Sequence, residues 1–178
     1  MIHYDFQKRF REVYDRALAS YQKGAREAGK LLSADDVRWL DAIGSRAQDL
    51  FDYAEDAANY SEPDYDTALL VQAARRDYFF TIQHGKPSKH VLDEATLPAK
   101  TDAVRGIEWL PRIIPKTKAK LRGELPASLM YGCGGDRKFF KAHDIHPAEF
   151  LRVVWAYEHD DAKIIDWVKK RSQAAVAA

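Results

Sequence analysis

The sequence predicts an all-α fold, on three observations. Apolar residues recur at spacings of three and four in several segments, as they do along one face of a helix. Residues suited to helix ends flank those segments, among them Ser33 as an N-cap and Gly85 after a C-terminus. The chain of 178 residues is 46% hydrophobic, enough to bury a substantial core. We therefore expect a helical bundle of three longer N-terminal helices packed with a smaller helical C-terminal subdomain.

The three longer helices are predicted within residues 1–85. The first covers residues 4–28, with an apolar face formed by Phe6, Phe10, Val13, Ala17 and Tyr21. The second begins after Ser33 and runs to about Asn59, and its other faces are strongly acidic. The third contains ALLVQAARRDYFFTIQ and stops near Gly85.

The C-terminal part divides into a connector and a subdomain. Residues 86–102 have little periodicity and two prolines, so we read them as a connector. The subdomain covers residues 103–173 and opens with a helical pattern over 103–122, where the helix either starts near Pro111 or is kinked there. The loop GELPASLMYGCGGD follows, with a short extended piece predicted at 128–131. Three short helices are then expected at 136–142, 147–157 and 161–171.

Composition and charge exclude several classes of protein. No apolar run approaches the ~18–20 residues that span a bilayer, and charges interrupt the N-terminus from Asp5 onward, as no signal-peptide core does. The single cysteine, Cys133, excludes an internal disulfide. Residues 86–178 carry 17 Lys and Arg against 12 Asp and Glu, an excess too small to indicate nucleic acid. We expect a cytoplasmic protein without membrane or nucleic-acid partners.

The segment LMYGCGGDRKFF, residues 129–140, is the first candidate site. Its glycines let the backbone approach a ligand closely, and the helix predicted to begin near Asp136 adds positive charge at its N-terminus. Cys133 beside Arg137 and Lys138 has the surroundings of a reactive cysteine. The alternative is an ordinary turn, in which Asp136 caps the helix and Cys133 is a small buried hydrophobic residue.

A basic segment is the second candidate feature. Arg112, Lys116 and Lys120 follow one another at intervals of four, so a helix places them on one face. With the basic residues after Cys133 they could surround an anionic molecule. The alternative is a solvated face, or a face that docks on the acidic second helix.

A metal site has weak support in the sequence. Cys133, Asp136, His143 and His146 offer four potential metal ligands within 14 residues, but their spacing matches no established pattern. His146 precedes Pro147 and is better placed to cap the next helix. We predict no metal site and assign no cofactor, and no Gly-x-x-x-x-Gly-Lys-Ser/Thr phosphate loop is present.

The stretch from Gly106 to Trp155, read as a unit, resembles a bacterial family known as domain of unknown function 5069. The resembling features are the LPR segment Leu110–Arg112, the basic helix through Lys116, Lys118 and Lys120, the Leu121-x-Gly123 step, the Tyr131-x-Cys133-x-x-Asp136 turn, Phe139–Phe140, Ile145 and the Phe150 helix. The match spans roughly residues 105–168. The family's function is not established, so the resemblance implies no activity. The Gly134–Gly135 pair departs from the bulkier residues of that turn in the family.

These observations lead to one functional prediction and one alternative. The prediction is a small-molecule enzyme or binding protein for an anionic ligand, with its site between the glycine-rich Cys133 turn and the basic helix. The predicted catalytic residues are Cys133 and Asp136, and the predicted ligand-binding residues are Arg112, Lys116, Tyr131, Gly134, Gly135 and Arg137. The alternative is a non-catalytic helical protein–protein interaction module, for which a homodimer is one form.

Overall fold

The molecule is helical, as the sequence predicts. The structure, a computed structural model, describes residues 3–177, and the side chains of residues 3–173. Within that range it has nine α-helices, one 3-10 turn and one two-stranded hairpin, so the all-α prediction is confirmed. None of the described helices is both long enough and apolar enough to cross a bilayer. The chain divides into two compact units between Pro87 and Ser88.

The first unit packs five helices around an aromatic and aliphatic core. They are α1 (Phe6–Gln22), α2 (Ala28–Leu31), α3 (Ala34–Ala42), α4 (Ala47–Tyr60) and α5 (Tyr65–Thr81). Phe10, Val13, Leu40 and Leu50 are completely buried in it. The predicted N-cap is present at Ser33, whose hydroxyl accepts from the Asp36 amide at 3.2 Å.

The first unit differs from the prediction in where its helices end. The predicted first helix ends at Gln22, shortly before Gly24, which has a φ of +103°. The predicted second helix is two helices, α3 and α4, separated at Gly44, where φ is +73°. A Cβ on Gly44 would lie 2.4 Å from Phe79 Cγ, so close packing of α5 on this bend requires glycine. The unit has three longer helices, α1, α4 and α5, as predicted, and two shorter ones, α2 and α3.

The second unit contains the remaining elements. They are a 3-10 turn (Glu94–Thr96), strands β1 (Ala103–Val104) and β2 (Ile107–Glu108), and helices α6 (Leu110–Arg122), α7 (Gly134–Ala142), α8 (Pro147–Ala156) and α9 (Asp161–Ala177). The strands pair antiparallel, with Ala103 opposite Glu108. The helix predicted over 103–122 starts near Pro111, one of the two options, because the hairpin occupies the residues before it. The extended piece predicted at 128–131 is not a strand: residues 128 and 131 lie in turns, and the two residues between them have no regular structure.

The segment before the hairpin is tied to the end of α6. The Leu92 amide donates to the Glu124 carbonyl at 2.8 Å, and the Ser88 hydroxyl donates to the Glu124 carboxylate at 2.6 Å. Leu97 is buried. These contacts fix the segment against the helix that carries the basic residues.

Candidate functional site

The centre of the site is the carboxylate of Asp136, in the first turn of α7. Its side chain is completely buried, at 0% exposure. Oδ1 accepts from the Trp109 indole Nε1 at 3.0 Å. Oδ2 accepts from Lys116 Nζ at 2.6 Å and from the Gly132 amide at 2.8 Å. Three donors, one of them cationic, compensate for the loss of water around this buried charge.

Lys116 links that carboxylate to the cysteine. It lies in the middle of α6, where the residue is 1% exposed, and its ammonium has left water almost completely. Besides Asp136, its Nζ donates to Cys133 Sγ at 3.4 Å. Cys133 and Asp136 are 17 and 20 positions after Lys116 in sequence, and the fold brings the three side chains together.

Cys133 is the N-cap residue of α7 and is half-buried. Its backbone is extended, with φ −61° and ψ 171°, and its sulfur makes no capping hydrogen bond. The sulfur therefore has the Lys116 ammonium and the positive end of α7 nearby. Such electropositive surroundings are typical of reactive cysteines.

The turn that carries Cys133 is held at both ends. Gly132 has a φ of +85°, and the Arg137 guanidinium donates to its carbonyl through Nη1 at 2.8 Å. Tyr131 is buried, and its hydroxyl donates to the Pro147 carbonyl at 2.9 Å. Tyr131 thus anchors the turn to the start of α8, with its ring against Phe140.

The two glycines that open α7 have different surroundings. A Cβ on Gly135 would lie 2.5 Å from both Cη2 and Cζ2 of Trp109, so the indole ring lies directly on this glycine. A Cβ on Gly134 would find only Arg137 Nη2, at 3.9 Å, and Gly134 is exposed. Gly134 is therefore on the open side of the turn, and Gly135 on the side covered by Trp109.

Arg112 is the predicted ligand-binding residue that the structure does not bring to the turn. Its Nη1 donates to the Pro98 carbonyl at 2.9 Å, and its Nη2 lies 3.6 Å from Glu94 Oε1. It shares a face of α6 with Lys116, as the spacing predicts. However, it is one helical turn nearer the N-terminus, where the segment before the hairpin covers it.

Trp109 is the site residue that the sequence analysis did not identify. It precedes α6 in a left-handed conformation, with a φ of +69°, and it is half-buried. The signal that could have identified it is chemical: a buried indole N–H usually has a hydrogen-bond partner. Phe139 and Phe140, on α7, are buried.

The two histidines considered as metal ligands have other partners. His146 Nδ1 accepts from the Ala148 amide at 3.1 Å and so caps α8, as predicted. His143 Nδ1 lies 2.7 Å from the Ser172 hydroxyl, and burial lowers the pKa of His143. The described residues contain no group of three or more His, Cys, Asp or Glu side chains arranged to hold a metal ion.

The second unit is the part of the chain with known relatives. Residues 95–178 match the family model described as "Domain of unknown function (DUF5069)". The family resemblance of the C-terminal part is thereby confirmed, over a longer range than the 105–168 predicted from its motifs. No curated protein and no solved structure matches the chain.

Proposed function

We propose that this chain, whose residues 95–178 match the DUF5069 family model, binds an anionic small molecule at the turn Tyr131–Arg137. Cys133 contacts that ligand or reacts with it. The observation that carries the proposal is the contact between Lys116 and Cys133, because it places a buried ammonium 3.4 Å from a half-buried sulfur. If Cys133 only filled space in the core, an apolar side chain in place of Lys116 would pack against its sulfur equally well.

Backbone amides and a guanidinium at the turn favour an anion. The first amides of an α-helix have no acceptor within the helix, and the Cys133 side chain does not cap those of α7. These amides and the helix dipole form the kind of anion site found at helix N-termini. Arg137 adds a guanidinium, half-buried and held at the Gly132 carbonyl.

The geometry separates ligand contacts from supporting residues. Cys133, Gly134 and Arg137 lie on the accessible part of the turn and are the proposed contacts, together with the amide of Gly135. Lys116, Asp136 and Tyr131 are buried, so they act by holding the turn and setting its charge rather than by touching the ligand. Arg112 has no part in the site proposed from the structure.

The test uses sulfate as the anion probe. Melting temperatures are measured in sodium sulfate and in sodium chloride of equal ionic strength, for the wild type, Cys133→Ala, Arg137→Ala and the control Lys170→Ala. Lys170 is an exposed lysine of α9, so its removal also subtracts one positive charge. We expect sulfate to raise the wild-type and control melting temperatures by about 2 °C or more. Both site variants should respond less, since the general stabilisation by sulfate, which is excluded from protein surfaces, remains in them. An equal response in all four proteins would refute the site.

Native mass spectrometry of the untagged protein distinguishes the alternative function. A mass that is lost on denaturation identifies a co-purified ligand and supports the proposal. A bare dimer that persists in Cys133→Ala and Arg137→Ala would favour the interaction module instead.

A cytoplasmic location stays a prediction from the sequence.

A further inference from the structure

We infer that Trp109 is a positioning residue for Cys133, acting through Asp136 and Lys116. This inference rests on the proposed function, because it concerns the reactivity of the same sulfur. The Trp109 indole N–H donates to Asp136 and not to the sulfur. Its influence runs from the indole N–H to Asp136 at 3.0 Å, from Asp136 to Lys116 at 2.6 Å, and from Lys116 to Cys133 at 3.4 Å.

The first step of the argument is the charge on Asp136. A fully buried carboxylate that faced Lys116 alone would draw the ammonium toward itself and oppose negative charge on the neighbouring sulfur. The indole N–H satisfies Oδ1, and the Gly132 amide shares Oδ2 with Lys116. With its charge spread over three donors, Asp136 leaves Lys116 able to donate to Cys133 as well.

The second step is the placement of the indole itself. Trp109 has a φ of +69°, a conformation that few residues other than glycine adopt, and its carbonyl accepts from the Arg112 and Ile113 amides in the first turn of α6. An outlier of this kind is maintained by its surroundings. Trp109 lies just before α6, and we infer that its left-handed conformation places the indole N–H within hydrogen-bond distance of the Asp136 carboxylate.

The third step is the fit between Trp109 and Gly135. The Trp109 ring occupies the space that any Cβ at position 135 would need, because that Cβ would lie only 2.5 Å from two atoms of the ring. A larger residue at position 135 would push the ring away from α7, and the N–H with it. Gly135 thus keeps the indole within reach of Asp136.

The experiment measures the second-order rate constant for alkylation of Cys133 by iodoacetamide. Cys133 is the chain's only cysteine, so the full-length protein reports this thiol alone. Trp109→Phe keeps an aromatic ring and removes the N–H, while the control Trp167→Phe changes a half-buried tryptophan of α9. Lys116→Gln removes the ammonium and keeps a donor. Trp109→Phe is also measured in the Lys116→Gln background.

We expect alkylation in Lys116→Gln and in Trp109→Phe to be slower than in the wild type by about threefold or more. We expect Trp167→Phe to match the wild type. In the Lys116→Gln background, Trp109→Phe should add no further slowing, because its effect passes through the ammonium. A merely structural role would loosen the turn and leave the rate unchanged or faster, in both backgrounds alike.

The outcomes separate the two proposals. If Lys116→Gln reacts as fast as the wild type, the sulfur is not activated and the premise of the proposed site fails. If Lys116→Gln is slow but Trp109→Phe is as fast as the wild type, only the positioning role is refuted. The positioning role is also refuted if Trp109→Phe slows alkylation in the Lys116→Gln background as much as it does in the wild type. Should Trp109→Phe not fold, Gly135→Ala displaces the ring and must show the same slowing; should Lys116→Gln not fold, Asp136→Asn is the second background.

Discussion

The adjacent residues Gly134 and Gly135 show how differently one atom is tolerated at neighbouring positions. Neither has a positive φ, so alanine suits the backbone at both. At Gly134 the added Cβ meets nothing nearer than 3.9 Å, whereas at Gly135 it meets the Trp109 ring at 2.5 Å. Local space, rather than backbone conformation, therefore decides the effect of each substitution.

We predict opposite effects on the free energy of unfolding. Gly134→Ala should stabilise the protein by about 0.4–1 kcal/mol, because alanine restricts the unfolded chain at an unstrained position. Gly135→Ala should destabilise it by about 1–3 kcal/mol, because the indole ring must move. Urea unfolding followed by circular dichroism measures both. Equal effects of the two variants would contradict the placement of Trp109 on Gly135.

At the level of single residues, the sequence identified several members of the site but not their roles. Glycines before an aspartate and a cysteine predicted the turn, and the four-residue spacing predicted that Lys116 faces inward or outward together with Arg112. The pairing of Lys116 with Asp136, 20 residues apart, depends on the tertiary fold, which local spacing does not determine. Asp136, predicted as catalytic, and Lys116, predicted as ligand-binding, are both buried, and we therefore propose that they support the turn.

At the level of elements, caps predicted helix starts better than periodicity predicted helix ends. Ser33 and His146 cap α3 and α8 as expected, because a cap is a local hydrogen bond that the residue type itself supplies. The apolar stripe Val37, Leu40, Ile43, Ala47 and Leu50 continues across the gap between α3 and α4, so periodicity predicted one helix. The hairpin of β1 and β2 was missed because strands of two residues have no measurable alternation.

The bend at Gly44 gives a prediction about the first unit. Gly44→Ala should destabilise the protein by about 2–4 kcal/mol, because alanine is strained at a φ of +73° and its Cβ would lie 2.4 Å from Phe79 Cγ. Gly29→Ala in α2 is the matched control, since its Cβ meets nothing within 4 Å. We expect Gly29→Ala to be neutral or stabilising. Guanidinium unfolding measures both, and similar midpoints would show that α5 does not pack on this bend.

Across the whole molecule, each of the two units contains an ionisable group, buried in the first and half-buried in the second, and the two groups respond to acid in different pH ranges. In the first unit, burial alone would raise the pKa of Asp36, but hydrogen bonds from Arg16 and Ser33 and the charges of Arg16 and Arg9 lower that pKa below its ordinary value of 3.8. In the second unit, burial against Phe139 lowers the pKa of His143 below its ordinary value of 6.5. Each folded unit therefore resists protonation at a different pH.

Near neutral pH, we expect the stability of the protein to depend on the protonation of His143 in the second unit. The unfolded chain protonates His143 around its ordinary pKa of 6.5, whereas the folded chain does so only at lower pH, so stability is complete above 6.5 and falls as the pH drops toward the folded value. The contribution of Asp36 is lost only below 3.8. We predict that the wild-type melting temperature decreases from pH 7.5 to pH 5, and that His143→Gln decreases less. His159→Gln, at an exposed histidine, should follow the wild type. If the His143→Gln and wild-type curves run parallel, protonation of His143 is not coupled to unfolding, and its contact with Ser172 stabilises the charged and neutral rings equally.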